Sequence, residues 1–405
     1  MEALTTDSSV GPLAGLRVID AGNMIAGPLG ATQMADFGAD VIKLELPGVG
    51  DSIRHWAPLK NGLSLWWKVI GRNKRLATLT LSHPRGRELF LRLVRDVDVV
   101  IENFRPGTFE RWGLDYATLA AENPKLVLVR VSGFGQTGPY AGRGGYGTIA
   151  EAFSGIPSFT GAPDRPPTLP GFPMADSVAA TFAAMSAMFA VYNRDHGTGC
   201  GQEIDVSLYE PLFRLVESQV IGFDQLGIVK ERIGNRLAED SPRNTYLTKD
   251  GRWIGVSASS QRTFERLVQA MGKPELVDDP RFVNNATRCE YDTALDAILA
   301  SWFSENHSGD IMALFERVGV VAGPVYDIKD IFDDPHYQAR QNIVSVPDED
   351  FGSVRMQGVT PRFAGTPGRV RHAGRGIGAD NREVYRDVLG LSESEFRSLG
   401  ANGII

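Results

Sequence analysis

Asp176 is the residue of this chain best placed to do chemistry. It stands in the stretch Leu169-Pro170-Gly171-Phe172-Pro173-Met174-Ala175-Asp176-Ser177-Val178, a lone carboxylate after a Pro/Gly-rich loop. The run from Val178 to Tyr192 that follows carries no charge, which predicts a buried helix with Asp176 at its mouth. Two readings compete. As an N-cap, Asp176 would accept the free N–H groups of the first turn and complement the positive helix end. As a nucleophile, its carboxylate would attack an activated carbonyl, and an ordinary aspartate is already ionised near neutral pH without help from a base. Local sequence favours the cap, because caps far outnumber nucleophiles.

Other segments supply partners for an anion. Gly71-Arg72-Asn73-Lys74-Arg75 is a basic cluster before a strand. Asn103-Phe104-Arg105-Pro106-Gly107-Thr108 follows another strand, with Arg111 shortly beyond. Guanidinium forks beside a helix N-terminus suit a pyrophosphate, and Phe104 suits an adenine or pantetheine arm. A solvated charge run and an ordinary turn remain the alternative at each segment. The loop from Gly133 to Gly147 holds glycines at seven of fifteen positions, enough to let backbone approach a ligand closely.

Several chemistries find no support. The turn Ala21-Gly22-Asn23-Met24-Ile25-Ala26-Gly27-Pro28 lacks the G-x-G-x-x-G fingerprint, and no P-loop occurs, which disfavours a nicotinamide dehydrogenase. The six histidines, His55, His83, His196, His307, His336 and His372, form no metal-ligand spacing, so no metal site is expected. There is no G-x-S-x-G elbow. The chemistry therefore falls to a carboxylate.

The elements that must position these residues read as α/β. Leu16 to Asp20 is a strand, a helix opens at Gly27-Pro28, and Asp40 to Glu45 is the next strand. The pattern recurs with strands at 75–81, 97–101 and 125–131, a helix from Pro84 through Val94, and a short helix around Phe109. Alternating strands and helices predict a Rossmann-like large domain with a parallel sheet. Beyond residue 220 the texture changes to a hairpin at 245–257 and helices near 261–271, 290–303 and 309–318, a smaller α+β domain. The expected division is 1–220, 221–325, and a return segment 326–405 with strands near 342–346 and 353–359 and a final helix at 381–390.

With 405 residues, two domains are the natural expectation. A net charge of −7 argues against a nucleic-acid partner. Two distant cysteines, Cys200 and Cys289, favour a reducing cytoplasm over a disulfide framework. The acidic start Met1-Glu2-Ala3-Leu4-Thr5-Thr6-Asp7 does not read as a signal peptide. The apolar run Val178–Tyr192 reads as too short to span a bilayer, so no membrane partner is expected.

Taken in order, these segments resemble the class III coenzyme A-transferases, the formyl-CoA transferase family. The landmarks are Gly15-Leu16-Arg17-Val18-Ile19-Asp20, Gly38-Ala39-Asp40-Val41-Ile42-Lys43, Asn73-Lys74-Arg75, Glu102-Asn103-Phe104-Arg105-Pro106-Gly107, Gly133-Phe134-Gly135-Gln136-Thr137-Gly138-Pro139-Tyr140 and Met174-Ala175-Asp176. Gly197-Thr198-Gly199-Cys200-Gly201-Gln202 and Gly403-Ile404-Ile405 complete them. The resemblance implies that Asp176 is the nucleophile and forms an aspartyl-CoA thioester through mixed anhydrides. It implies CoA contacts at Ile25, Leu79, Thr80, Asn103, Phe104, Arg105, Arg111, Arg143 and Tyr146. It also implies a homodimer of interlocked chains, acyl-CoA and a small carboxylic acid as substrates, coenzyme A as co-substrate and no permanently bound cofactor.

The chain departs from the oxalate-specific members at two places. Leu46 stands where they carry an arginine, and Ser257-Ala258-Ser259-Ser260-Gln261 replaces their glycine run. The pattern around Lys249-Asp250-Gly251-Arg252-Trp253-Ile254 and Gly272-Lys273-Pro274-Glu275-Leu276 is more similar to members that use succinyl-CoA with small dicarboxylic or hydroxy acids. A 2-methylacyl-CoA racemase is the alternative on the same fold, but Tyr146 stands where racemases carry their histidine, and the nearest downstream one is His196. A non-catalytic CoA-binding protein would keep the arginines and could dispense with Asp176. Hydrolysis of the same anhydride differs from transfer only by admission of water.

Overall fold

The computed structural model describes residues 11–405. The acidic segment Met1 to Asp7 lies outside them. Six parallel strands form the main sheet: β1 (Arg17–Asp20), β2 (Asp40–Glu45), β3 (Arg75–Thr78), β4 (Val99–Glu102), β5 (Val127–Ser132) and β6 (Glu203–Ser207). Their spatial order is β3-β2-β1-β4-β5-β6. The order reverses between β1 and β4, so the connections leaving their C-terminal ends diverge and open a crevice there.

Strand residues alternate between two cores, as a pleated strand buried on both faces requires. Ile19, Ile42 and Val100 join the core covered by α2 (Pro84–Val94). Val18, Val41 and Val99 face the other, covered by α1 (Ala26–Asp36) and α4 (Met174–Asn193). A short helix, α3 (Gly147–Phe153), precedes α4 in the chain. The tail closes the open edge of β3, where Asp380 and Asn381 accept the backbone N–H groups of Leu76 and Thr78 at 2.6 and 2.8 Å. Edge N–H groups left bare would invite pairing with another chain.

The chain divides into two compact units. The first comprises residues up to Ile156 with Pro170–Ile221 and His336–Ile405; the second comprises Pro157–Leu169 and Gly222–Pro335. Residues 157–169, which the sequence places with the large domain, cluster with the smaller unit, and the return begins at His336. That smaller unit holds an antiparallel sheet of Arg243–Leu247, Trp253–Ser257 and Ala322–Pro324. Its core is aromatic, with Phe264, Phe282, Phe303 and Phe315 fully buried.

Three expectations need correction. The final helix at 381–390 is a short π-type turn, Glu383–Val388, followed by an α-helix at Glu393–Ala401 whose cap, Ser392, accepts the Glu395 N–H. The edge strand β6 escaped notice although Glu203 to Ser207 alternates polar and apolar residues. The helix after Asp176 is buried on one side only. Ala179, Ala183 and Ala187 are covered, while Phe189 and Tyr192 are about two-thirds exposed. With the π turn that continues it, this helix covers Met174–Thr198, 25 residues, long enough by length and composition to cross a bilayer. One such helix is weak evidence for a membrane, and this one buries its alanines against β5 and α1.

Lys74 and Asp20 form a fully buried ion pair at 2.8 Å at the C-terminal end of β1. Replacing Lys74 by Met strips Asp20 of its closest cation and should destabilise the fold by about 3–5 kcal/mol, the usual effect of breaking a buried pair. Denaturant unfolding checks this; a change within error would show that Lys43, 3.6 Å from Asp20, suffices alone.

Candidate active site

Asp176 lies in the first turn of α4, half-buried. Pro173 is the N-cap residue and makes no side-chain cap bond. Glu151 of α3 does that work from outside the helix: its Oε1 accepts the Ala175 N–H at 3.2 Å. Asp176 is thereby free of the capping role that local sequence favours for it. Its Oδ2 rests against Gly147, the first residue of α3, where a Cβ would overlap the oxygen. Only glycine lets the two segments approach this closely.

Burial pushes the Asp176 carboxyl up to about 6, the nearby Glu151 charge adds to the rise, and its own backbone N–H pulls it partly back. Glu151 is 4% exposed and carries no signal in the sequence, where it is one glutamate in a short helix. The spacing of twenty-five residues to Asp176 means nothing until α3 and α4 pack together.

The glycine-rich loop before α3 is pinned at its base. Phe134 packs edge-on against Phe153 and Tyr140 with ring centroids 5.4 and 5.9 Å apart. Asp205 of β6 accepts the Gln136 N–H at 2.7 Å. Tyr146 is exposed immediately before Gly147, the residue against which Asp176 rests. Arg143 is exposed with its guanidinium 3.7 Å from the centre of the Tyr140 ring. Arg105 is exposed beyond β4, and its Nη2 lies 3.2 Å from where a Gly144 Cβ would stand. Arg105, the glycine loop and Asp176 therefore form one continuous surface at the C-terminal ends of β4 and β5.

The other expected contacts fall into different environments. Arg111 is exposed and donates to Thr108 Oγ1 at 2.8 Å. Phe104 is half-buried and packs against Trp112 and Phe109, with centroids 5.0 and 5.7 Å away. Its N–H donates at 2.7 Å to Glu102, a fully buried carboxyl that burial pushes up to about 7 against the pull of Arg130. Asn103 spends its amide on the turn after β1, accepting the Asn23 N–H at 2.7 Å and donating to the Asn23 carbonyl at 2.8 Å. Ile25 is buried against Ile53, Trp67 and Ile70, and Leu79 lies in the main core. Thr80 sits at the edge of β3, donating to the carbonyls of Ile404 and Gly403 at 2.8 and 3.0 Å. Leu46 is half-exposed at the end of β2. Among the described residues no group of three or more His, Cys, Asp or Glu side chains could hold a metal ion.

Comparison with known proteins decides the family. The model for CoA-transferase family III matches residues 13–381. The chain belongs to CoA-transferase family III. A succinyl-CoA–D-citramalate CoA-transferase of Chloroflexus aurantiacus is 45% identical over 97% of this chain and 98% of its own length. The beta subunit of a succinyl-CoA–L-malate CoA-transferase of the same organism is 38% identical, again over 97% and 98%. Among solved structures, a CaiB/BaiF family protein from Brucella suis superposes with a TM-score of 0.83 at 32% identity, covering 94% of this chain and all of that one. The protein is an enzyme that transfers CoA, with CoA thioesters as co-substrates.

The racemase alternative meets a distance problem. His196 lies twenty residues beyond Asp176 on the same helix and its π-turn extension, about 30 Å away at 1.5 Å per residue. It stacks there on Tyr192 and cannot share a substrate carbon with Asp176.

The raised Asp176 carboxyl has a kinetic consequence. Were Asp176 to act as the nucleophile, its reactive form would be the carboxylate, and acyl attack would rise with pH up to about 6 and level off above. Glu151→Gln keeps an acceptor for Ala175 and removes a negative charge, so the midpoint should move down toward the ordinary aspartate range. Single-turnover pH profiles of both proteins test this; an unmoved midpoint would assign the shift to burial alone.

Proposed function

We propose that this enzyme moves CoA from succinyl-CoA to a small hydroxy-dicarboxylic acid of the malate or citramalate type, with Asp176 as covalent nucleophile. The observation that carries the mechanism is the placement of Asp176 Oδ2 against Gly147 at the end of the loop that meets Arg105. The donor and acceptor class is supported by the relatives that match nearly the whole chain.

The chemistry runs in four balanced steps. An Asp176 oxygen attacks the thioester carbonyl, the C–S bond breaks, and CoA leaves as thiolate from a mixed anhydride. The thiolate attacks the Asp176 acyl carbon, expelling succinate and leaving an aspartyl-CoA thioester. A carboxylate oxygen of the acceptor acid attacks that thioester, forming a second anhydride and freeing the thiolate again. The thiolate then takes the acceptor acyl group and regenerates Asp176. Thioester energy is kept throughout, provided that water stays out while the anhydrides exist.

Arg105 and Arg111 are proposed to hold the CoA phosphates, aided by the exposed Arg143 of the glycine-rich loop. The interlocked homodimer has a surface to form on. Met185, Phe189 and Tyr192 of α4, with Val220 and Ile221, are exposed apolar side chains in the single chain, the kind that a partner covers. A reducing cytoplasm suits the two free thiols, Cys200 and Cys289.

Intact-mass analysis after mixing with succinyl-CoA should reveal a covalent adduct that hydroxylamine removes and that maps to Asp176. Asp176→Ala should show no adduct and no transfer while keeping its fold; transfer at the wild-type rate would end the mechanism. Separately, Arg105→Ala and Arg111→Ala should each weaken CoA binding about tenfold, the worth of one charge-assisted contact. Calorimetry reads this directly, and an unchanged Kd removes that arginine from the site.

A further inference from the structure

The crevice between β1 and β4 is bridged by one side chain. Asn103, the first residue after β4, faces the turn after β1, and its amide pairs with both backbone polar groups of Asn23, accepting at 2.7 Å and donating at 2.8 Å. The turn is shaped to receive it. A Cβ on Gly27 would stand 3.3 Å from the Asn103 Cγ, and one on Gly22 would stand 2.9 Å from its Oδ1. The next residue, Met24, is held at φ 67°, a left-handed conformation that is uncommon for a non-glycine residue. The Met24 N–H donates to Asp51 Oδ1 at 2.9 Å. Ile25, the N-cap residue of α1, makes no side-chain cap bond, so no side chain at that position closes the helix start.

We infer that Asn103 is a positioning residue: it locks the turn after β1 to the loop after β4 and so fixes the N-terminus of α1 relative to Arg105. This rests on the proposed binding of CoA at Arg105, and it gives Asn103 a role other than direct contact. Asparagine suits the task because one planar amide presents a donor and an acceptor side by side, as a backbone peptide does. Aspartate has the same shape but no donor, and its carboxylate would oppose the Asn23 carbonyl. Asn23 is only partly buried, so water can replace the lost bonds and the variants can fold.

The test is a double-mutant cycle on CoA binding, with Asn103→Ala, Gly27→Ala and the pair together. Gly27→Ala pushes on Asn103 from the turn side without removing it. Each single change should weaken CoA about tenfold, as loss of a pair of hydrogen bonds does, and raise the KM for acyl-CoA far more than it lowers kcat. The pair should be no worse than either alone, because both break one clamp. Asn103→Asp should weaken CoA at least as much as Asn103→Ala. Additive effects in the cycle, or an unchanged Kd in Asn103→Ala, would overturn the inference. Hydrogen exchange at the Asn23 amide judges the clamp without CoA: slow in the wild type and fast in Asn103→Ala supports it, and equal rates refute it. Failure of the wild type to bind CoA would refute the site assignment, and the exchange result would still decide the clamp.

Discussion

Two lysines and two aspartates, all buried, hold the centre of this fold. Lys74 pairs with Asp20 at 2.8 Å, and Lys43 pairs with Asp51 at 2.9 Å while lying 3.6 Å from Asp20. Charges taken out of water are tolerable only when each finds close partners of opposite sign and hydrogen bonds for what is left. Here the leftover bonds go to the first β-α turn: Lys43 donates to the Gly22 carbonyl, and Lys74 to the Pro28 carbonyl at 2.7 Å. The turn is gripped at both ends from beneath. Its direction sets where α1 starts, and α1 in turn supports α4, with a Gly30 Cβ position only 3.0 Å from the Ala180 carbonyl. The place of Asp176 thus traces back to a charge network two layers away.

The same logic of selective burial operates at Asp176, the proposed nucleophile. Full exposure would leave Asp176 a weakly basic carboxylate surrounded by water. Complete burial would keep it protonated and inert. Its half-buried position, with Glu151 nearby, raises its basicity to about 6, which still leaves most of it ionised at neutral pH. Glu151 serves a second purpose, because it accepts the Ala175 N–H at the start of α4 and so spares Asp176 that bond. A carboxylate cap supplied from another helix costs some repulsion and leaves Asp176 out of the capping role.

The candidate site residues stand out in the sequence because they occupy the ends of recognisable elements. Asn103, Phe104 and Arg105 follow a strand of unbroken apolar residues, and Asp176 opens a charge-free run. The roles were harder to read. Asn103 looks like a ligand contact in the sequence, and only its distances to Asn23 show where its amide is spent. Ile25 and Leu79 sit at suitable strand and helix ends, yet their side chains point into cores. The helix at Glu393–Ala401 had a legible cap in Ser392, three residues before Glu395, that the Gly-rich surroundings obscured.

Local periodicity and punctuation were enough to determine the α/β class and the parallel sheet, because apolar strands and Gly-Pro helix starts are properties of neighbouring residues; the family entered through the resemblance of its ordered motifs. The nucleophile's candidacy was equally local, one acid at the head of an uncharged run. What tertiary structure alone decided was how distant polar groups are shared: Glu151 with Ala175, Asn103 with Asn23, Asp380 with the edge of β3. Those pairings join residues 24, 80 and 304 positions apart. No linear pattern encodes them, since a hydrogen bond depends on ångström-scale distances that arise only when the sheet and its helices have packed.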